Sequence, residues 1–502
     1  MRACLKCLCL SALALCLVLP LFTACGACKH ESTEWVEESE ATCSVAGWRA
    51  KICSDCSAVL EREQYTVGHE YVEGVCSMCG AAQYAEQYLK YSEITLGDVA
   101  GYEVTGRGNS TAVALEIPPL HNGKPVLSVA DGAFGGDLLL TSVFVSRNVQ
   151  RIGAGAFEGC TALEQITFHG QSELTAIGEG AFEGCVALEA FSFPLGVSAI
   201  SDDLFKDCTA LSDVVLHDGI TSLGDSAFEG CAAIVYAEHE GAKYLGTENF
   251  PYLILASVID KSVTAFTVQS GTRIIGTSAF AGCNALSTLS LPEGLLSIGS
   301  YAFAGCGSLE AVVLSESLKT IGSHAFAACI SVTEIELPDG LTGIGDHAFY
   351  GCSTLSSLEM SSGIKTVGSF AFGGTALTYA QWGGGKYVGN AQNPYLVLVD
   401  AGEGITALTV HGDTRVVADG ALAENVNNAA LTSLHIGENV ITLGKEALSG
   451  CAVLTEVTFA TGDGWLVAEQ YEKNAVSRDV TNAAANAEAL KGAYKNYYWY
   501  RA

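Results

Sequence analysis

Proline, positive charge and long apolar runs are all scarce in this sequence. Among 502 residues there are 9 prolines, and 25 lysines and arginines stand against 55 aspartates and glutamates, giving a formal net charge of -30 at pH 7. A surface of that sign repels phosphate backbones, which excludes a nucleic-acid-binding role. Beyond the N-terminus, the longest apolar runs, such as residues 252–259, fall far short of the roughly 20 residues that cross a bilayer.

Hydrophobic residues, glycine and cysteine are instead abundant. The sequence is 49% hydrophobic and only 16% charged, which is too apolar for a disordered chain and sufficient for a large core. It contains 56 glycines and 20 cysteines, more cysteine than a cytosolic chain of this size normally carries. Changes in composition and repetition along the chain predict four segments, which are residues 1–24, 25–85, 86–460 and 461–502.

Residues 1–24 have the features of a bacterial secretion signal. Arg2 and Lys6 precede an apolar stretch that is too short to span a membrane. Two small residues stand directly before Cys25, and this arrangement resembles a bacterial lipobox. We therefore predict that Cys25 is lipidated and anchors the chain to the membrane at the extracellular face of the cell envelope. The alternative is ordinary cleavage nearby, with Cys25 left as a plain residue.

A small module rich in cysteine and histidine follows at residues 25–85. It contains two C-x-x-C pairs at zinc-ribbon spacing, and two such knuckles can complete one tetrahedral metal site. The remaining cysteines and histidines could form a second set, so structural zinc or iron is one interpretation. Three disulfides in an exported protein are the other. The predicted metal ligands are Cys28, His30, Cys43, Cys53, Cys56, His69, Cys76 and Cys79.

From about residue 90 onward the sequence repeats itself with a period close to 23 residues. The repeated phenylalanines are Phe134, Phe157, Phe182, Phe205, Phe228, Phe280, Phe303, Phe326, Phe349 and Phe372. Two longer gaps hold inserts near residues 232–270 and 374–412, and the inserts match one another at an offset of 143 residues. A single short unit cannot bury its own apolar side chains, so neighbouring turns must stack into a solenoid.

The residues of one repeat unit predict its local structure. Leu289 and Leu291 alternate with polar Ser290, which predicts a short half-buried strand, and equivalent strands would form a parallel sheet. Gly299 is expected to permit a bend. Phe303 then fills the interior.

These units resemble the leucine-rich repeat of the BspA-like group of bacterial surface antigens. The resemblance is carried by the I-G-x-x-A-F-x-G-C blocks and by the paired inserts, and it covers about residues 90–500. It implies a leucine-rich-repeat solenoid that is mainly β, with a parallel sheet and short helical or irregular turns. The cysteine spacing in residues 25–85 predicts a zinc-ribbon-like module before it. It also implies a non-catalytic role in adhesion or protein contact at the cell surface.

Nine cysteines occupy one position of the repeat, three residues after the phenylalanine position. They are Cys160, Cys185, Cys208, Cys231, Cys283, Cys306, Cys329, Cys352 and Cys451. A column of inward-facing thiols behaves as small hydrophobic side chains, so we predict a core role. Metal binding or disulfide formation along the column is the alternative.

The residues that alternate with the strand leucines are predicted to face outward and to form a broad contact surface. An indifferent solvated face is an equal alternative. The candidates are Gln165, Thr167, Asp213, Val215, Ser290, Val313, Glu334, Glu336 and Glu359. The inserts add Tyr244, Tyr252, Trp382, Tyr387 and Tyr395, for which packing onto the array is favoured over ligand contact.

No nucleophile elbow, Walker loop or H-E-x-x-H motif is found in the sequence. The sequence thus predicts a lipid-anchored surface protein for adhesion or recognition of an unidentified protein or glycan, including one on a host surface. One alternative is a structural envelope component that binds surface proteins or wall polymer of the same cell. A surface hydrolase is a further alternative, and it would require carboxylates or nucleophiles to converge in an insert-lined cleft.

Overall fold

The computed structural model describes residues 33–39, 47–54, 59–65, 71–72, 75–76, 89–402, 404–423, 430–449, 451–469 and 475–501. The chain divides into two compact units. One unit comprises residues 1–84 with 169–171, and the other comprises residues 85–168 with 172–502. Predicted residues Cys25, Cys28, His30, Cys43, Cys56, His69 and Cys79 lie outside the described residues.

The described residues form 41 strands and one helix. The N-terminal unit contains β1 (Thr33–Ser39), β2 (Gly47–Cys53), β3 (Val59–Tyr65), β4 (Tyr71–Val72) and β5 (Val75–Cys76). The solenoid up to the first insert contains β6 (Lys90–Leu96), β7 (Val99–Gly106), β8 (Ala114–Ile117), β9 (Leu120–His121), β10 (Lys124–Val129), β11 (Ser142–Val145), β12 (Arg151–Ile152), β13 (Gln165–Phe168), β14 (Ala176–Ile177), β15 (Ala190–Ser192), β16 (Ala199–Ile200), β17 (Asp213–Val215) and β18 (Ser222–Leu223).

The first insert and the turns after it contain β19 (Ala237–His239), β20 (Ala242–Leu245), β21 (Ile254–Val258), β22 (Ala265–Thr267), β23 (Ile274–Ile275), β24 (Thr288–Ser290), β25 (Ser297–Ile298), β26 (Thr320–Ile321), β27 (Glu334–Glu336), β28 (Gly343–Ile344), β29 (Ser357–Glu359) and β30 (Thr366–Val367). The remainder contains β31 (Ala380–Trp382), β32 (Gly385–Val388), β33 (Val397–Ala401), β34 (Ala407–Thr409), β35 (Val416–Val417), β36 (Ser433–Ile436), β37 (Thr442–Leu443), β38 (Glu456–Phe459), β39 (Trp465–Ala468), β40 (Val476–Ser477), α1 (Ala483–Lys491) and β41 (Tyr498–Arg501).

In the N-terminal unit, β1, β2 and β3 form an antiparallel sheet and β4 pairs with β5. The solenoid is a stack of about 15 turns with almost no helix, as the repeat predicts. Most turns contribute strands to two rows, and neighbouring turns pair in parallel within each row. Sheet A is the row in which a buried or half-buried apolar residue alternates with outward residues, such as β11, β13 and β15. Sheet B is the row of strands that mostly end in isoleucine or valine, such as β23, β25 and β26, and each row is divided into several hydrogen-bonded sheets along the stack. Sheet A was predicted from alternation. The two-residue strands of sheet B are too short for alternation to show.

A stack of phenylalanine rings fills the interior between the sheets. The rings of Phe157 and Phe182 lie 5.4 Å apart with planes 3° from parallel, and those of Phe326 and Phe349 repeat that geometry. Phe303 is completely buried, as predicted. Because each turn presents the same ring to the next, the rings stack continuously within two runs of turns, from Phe134 to Phe228 and from Phe280 to Phe372, which belong to two core clusters.

Gly299 has a role that differs from the expected bend. A Cβ at this position would lie 2.8 Å from the backbone nitrogen of Thr277 in the preceding turn, so glycine is required for close approach. Gly345 shows the same constraint against Ser323, at 2.4 Å. The left-handed backbone conformation falls two residues later, at Tyr301, whose φ is 56°.

The two inserts have the same backbone pairing. In the first, β19 and β20 pair antiparallel and β20 continues onto β21, with a register shift between Lys243 and Tyr244. In the second, β31, β32 and β33 repeat this arrangement, with the shift between Lys386 and Tyr387. Both hairpins then rejoin sheet B in parallel, through β23 and β35. The sequence match between the inserts therefore reflects one duplicated structure.

The C-terminal segment closes the end of the stack. Helix α1 is capped by Asn482, whose side chain accepts a hydrogen bond from the amide of Ala485 at 3.0 Å, and it packs against β38. Asn486 donates to the carbonyl oxygen of Val457, which lies on that outermost strand. Within the described residues, no helix is long and apolar enough to cross a membrane.

Candidate functional site

The outward face of sheet A brings most of the predicted contact residues into register. Glu334 pairs with Ser357 and Glu336 with Glu359 across β27 and β29, while Ser192 pairs with Val215 across β15 and β17. The residues that fall on strands of this face are Gln165, Thr167, Asp213, Val215, Ser290, Glu334, Glu336 and Glu359. Thr167 is half-buried and the others are exposed.

Val313 lies outside a strand, in the turn between β25 and β26, and 83% of its side chain is exposed. The neighbouring Val312 is buried, so alternation persists there without a strand. Glu359 accepts a hydrogen bond from the amide of Ala391 in the second insert at 3.1 Å. One candidate of the nine is therefore engaged by the insert.

Only two of the predicted metal ligands lie among the described residues. Cys53 ends β2 and is buried, and Cys76 ends β5. Among the residues that the structure describes, no three histidine, cysteine, aspartate or glutamate side chains are placed to hold one metal ion. The metal set of the N-terminal module therefore remains a prediction.

The repeated cysteines are core residues, as predicted. All nine are buried and unbridged. The thiol of Cys352 donates a hydrogen bond to the carbonyl oxygen of Phe326 in the preceding turn at 3.1 Å, and Cys208 makes the equivalent contact with Phe182 at 3.0 Å. Burial raises the pKa of Cys352 to about 11 and that of Cys208 to about 12. The thiols of the repeated cysteines are thus protonated and unreactive, and their role is structural.

A cleft of about 270 Å³ opens beside the second insert. Its lining includes Phe370, Tyr379, Lys386, Asp400, Asp419 and Gly420. Two carboxylates therefore reach an insert-lined cleft, which is the arrangement that the hydrolase alternative requires.

Both carboxylates have structural partners. Asp400 accepts a hydrogen bond from Lys386 Nζ at 2.7 Å. Asp419 accepts from the amide of Lys445 and from the hydroxyl of Tyr498, both at 3.0 Å. Burial raises the pKa of Asp419 to about 7, against the opposing effect of the Tyr498 hydrogen bond.

The position of Asp419 belongs to the repeat. Equivalent aspartates in other turns also accept backbone amides of the next turn, as Asp131 does from Ala154 at 2.9 Å and Asp346 from Ser369 at 2.6 Å. The cleft thus contains carboxylates that stabilise turns. The residues that line it include no serine, cysteine or histidine.

The predicted packing role of the insert aromatics is confirmed for Tyr244 and Tyr387, which are completely buried. Tyr252 stacks on His239 with ring centroids 4.7 Å apart, and Tyr395 packs against Tyr387. Trp382 is 40% exposed. Most of these rings therefore hold the inserts to the array.

A second surface feature was missed from the sequence. Tyr301, His324, His347 and Phe370 occupy one position in four consecutive turns and form an aromatic column, with ring centroids 4.6, 4.7 and 5.3 Å apart. The signal was present, because each residue stands two places before a repeated phenylalanine. The position looked merely variable without the backbone conformation.

Comparison with known proteins identifies the family. Residues 128–253, 259–381 and 424–466, more than half of the chain, match the family described as "BspA type Leucine rich repeat region", in six copies. No curated protein matches the chain.

Similar solved structures include the T. pallidum leucine-rich repeat protein, at 27% identity and a TM-score of 0.31 over 44% of this chain and 88% of that one. A leucine-rich cell surface protein of Faecalibacterium prausnitzii is 25% identical, with a TM-score of 0.27 over 58% and 94% of the two chains. The assignment rests on the repeat match: the chain belongs to the BspA-type leucine-rich repeat family.

Proposed function

We propose that this protein is a non-catalytic recognition protein of the bacterial cell surface that uses the outward face of sheet A to adhere to a protein or glycan ligand. BspA-type repeats support a binding role at an extracellular location, and solenoids of this family are typically non-catalytic. A lipid at Cys25 would hold the chain to the membrane.

The observation that carries the proposal is the row of exposed side chains in register along sheet A. The apolar residues between them are buried or half-buried, as with Ile335 between Glu334 and Glu336 and Leu358 between Ser357 and Glu359. The fold therefore specifies the inward residues and leaves the outward ones to a partner. An extended in-register face suits a large ligand better than a small substrate.

A charge-reversal pair tests this face. Glu334→Lys with Glu336→Lys changes two exposed residues of sheet A, and Glu293→Lys with Glu316→Lys makes the same charge change at exposed turn residues off the sheet. The full chain is incubated with intact epithelial cells, and retention is measured by sedimentation. We expect the first pair to lower retention at least tenfold and the second to leave it unchanged. Equal retention of both would contradict a role for sheet A.

The alternative is a structural envelope component that binds surface proteins or wall polymer of the same cell. A parallel incubation with purified bacterial cell wall separates the two functions. Retention on wall alone contradicts adhesion and favours the envelope role.

For the N-terminal module we propose a structural zinc set that spaces the repeats from the membrane. Cys53 is buried at the end of β2, which suits a ligand held inside a small module. Elemental analysis of the full chain should find about two zinc ions per molecule, because four ligands complete one tetrahedral site. Metal-free protein without titratable thiols in this module would establish disulfides instead.

A further inference from the structure

The aromatic column occupies a backbone position that does not favour rings. In each turn, the residue two places before the phenylalanine position has a left-handed φ, between 51° and 63°. The occupants are Gly132, Gly155, Gly180, Asp203, Ser226, Ser278, Tyr301, His324, His347, Phe370, Gly420 and Glu446. Glycine and small polar residues tolerate this conformation, whereas bulky side chains are strained in it.

Four consecutive turns nevertheless carry rings there. The rings are not core residues, since Tyr301 is 44% exposed, Phe370 is 42% exposed, and the two histidines are half-buried. Strained residues clustered on a surface are a common mark of a functional site. The four rings stack on one another, but the local backbone conformation disfavours each of them.

The histidines present hydrogen-bond donors along the column. Nδ1 of His324 and Nδ1 of His347 are buried and have no hydrogen-bond partner among the residues that the structure describes. A buried N–H without an acceptor is costly, so the proton belongs on Nε2, which does not share that burial. Burial and the neighbouring His347 lower the pKa of His324, which keeps its imidazole neutral. The hydroxyl of Tyr301 adds a further donor at the start of the row.

The column leads into the cleft beside the second insert. Phe370 lines that cleft, together with Tyr379 and the ion pair of Lys386 with Asp400. Next to the column, Tyr350 is 48% exposed, and its ring passes close to Gly373, where a Cβ would lie 2.9 Å from the ring. The column and the cleft form one surface of ring edges and polar groups.

From this geometry we propose that the aromatic column and the adjoining cleft bind a neutral, extended, β-linked glycan. This inference rests on the proposed recognition function and adds a binding site apart from sheet A. Because the rings stack on one another, they present their edges outward. Sugar hydroxyls would accept hydrogen bonds from the imidazole N–H and tyrosine O–H groups on those edges, while a sugar C–H face would contact Phe370 where it lines the cleft.

The chemistry of the ligand follows from charge and spacing. The net charge of -30 disfavours an anionic polymer, and the cleft pairs its lysine with a carboxylate, which leaves no strong preference for an ion. The rings recur once per turn at 4.6 to 5.3 Å, close to the length of one sugar in a β-1,4-linked chain. A helical α-linked chain would leave the column after one or two sugars.

Calorimetric titration of the full chain with cellohexaose and chitohexaose tests the inference, with maltohexaose as the α-linked control. We expect binding of at least one β-linked hexaose and a preference of tenfold or more over maltohexaose. His324→Gly with His347→Gly should weaken that binding at least tenfold. Glycine already occupies this position in four other turns, so the variant should fold, and thermal melting checks this.

The matched control is Asp203→Gly with Ser226→Gly, at the same repeat position outside the column. It should leave the affinity unchanged. Equal loss in both pairs, no binding of any β-linked hexaose, or equal affinity for maltohexaose would overturn the glycan assignment. Retention on cells that survives the histidine substitutions would leave the proposed function standing while this site falls. Binding of a β-linked hexaose without retention on cells would support this site and contradict the proposed function.

Discussion

The two inserts share a backbone yet leave different surfaces beside them. Lys243 pairs with Ser257 in the first insert, and Lys386 pairs with Asp400 at the equivalent register of the second. The substitution of an aspartate for a serine places an ion pair in the second insert. Duplication thus preserved the pairing pattern and changed the chemistry.

The turns that flank the inserts differ as well. Across the first insert, the carboxylate of Asp225 accepts hydrogen bonds from Thr277 at 3.1 Å and Ser300 at 2.6 Å, which tie the flanking turns together. At the second insert the residue equivalent to Asp225 is Ser369. The amide of Asp419 donates across this insert to the carbonyl oxygen of Val367 at 2.8 Å, while its carboxylate accepts from Lys445 and Tyr498. Side chains thus bridge the first junction, and a cleft opens beside the second.

The largest expected effect concerns the repeated phenylalanine position in the first turn after each insert. This position holds Phe280 after the first insert and Leu422 after the second, and both side chains are completely buried. Phe280→Ala should lower the free energy of unfolding by about 3–5 kcal/mol, because its ring packs against Phe266 and Phe303 and leaves a cavity. Leu422→Ala removes fewer atoms and should cost less. Urea denaturation followed by circular dichroism measures both. A larger loss in Leu422→Ala would show that the junctions are not equivalent in packing.

The next effect is a difference between the two junctions in how folding stability depends on pH. Asp419 has a folded-state pKa of about 7, raised by burial from its ordinary value of 3.8. A raised acid pKa means that its stabilising contribution is present below about pH 4 and is lost as pH rises through 7. The loss is roughly 4 kcal/mol at about 1.4 kcal/mol per pKa unit.

Asp419→Asn should therefore remove a decline in stability between pH 4 and pH 7. The stability difference between this variant and the unmodified chain, measured by denaturation at each pH, isolates the contribution of Asp419. At the first junction the equivalent residue is Thr277, so Thr277→Ser should leave the pH profile unchanged. A pH-independent difference for Asp419→Asn would mean that this carboxylate is charged throughout the range.

A smaller effect should be common to both inserts. A Cβ on Gly246 would lie 2.3 Å from the carbonyl oxygen of Phe250, and one on Gly389 would lie 1.9 Å from that of Asn393. Each glycine permits a close backbone approach, so Gly246→Ala and Gly389→Ala should each cost about 1–3 kcal/mol by overpacking. Thermal unfolding of the two variants measures this. Destabilisation of one but not the other would contradict the shared backbone.

How far the sequence predicted this structure depends on whether a feature is periodic. The 23-residue period predicted the stack, the buried Phe303 and the buried cysteines, because one unit cannot bury these residues alone. Sheet B was not predicted, since two residues cannot show alternation. The role of Gly299 depends on a neighbouring turn, which no local pattern encodes.

The candidate surfaces divide along the same line. Alternation placed Glu334 and Glu336 outward on sheet A. The cleft depends instead on Asp400 and Asp419, which have no periodic relation and line the same cleft only because an insert interrupts the repeat. The aromatic column required knowledge of φ. A residue that looks variable in sequence is informative once its backbone position is known to favour glycine.

The smallest effect tests the backbone strain on which that argument depends. Before the first insert the left-handed position holds Ser226, and before the second it holds Phe370, with φ values of 54° and 51°. Phe370→Gly relieves about 1–2 kcal/mol of backbone strain and loses about 0.5–1.5 kcal/mol of contact with His347.

The free energy of unfolding of Phe370→Gly should therefore stay within about 1 kcal/mol of that of the unmodified chain, as for Ser226→Gly, in urea denaturation. Near-neutrality means that the fold does not need the ring, so a ligand remains the reason for its presence beside the cleft. A loss of more than about 3 kcal/mol in Phe370→Gly, on the scale of a buried aromatic residue, would make the ring part of the core. The difference between the two junctions would then be one of packing. The main argument for a binding site at the aromatic column, that the fold does not need this ring, would be wrong.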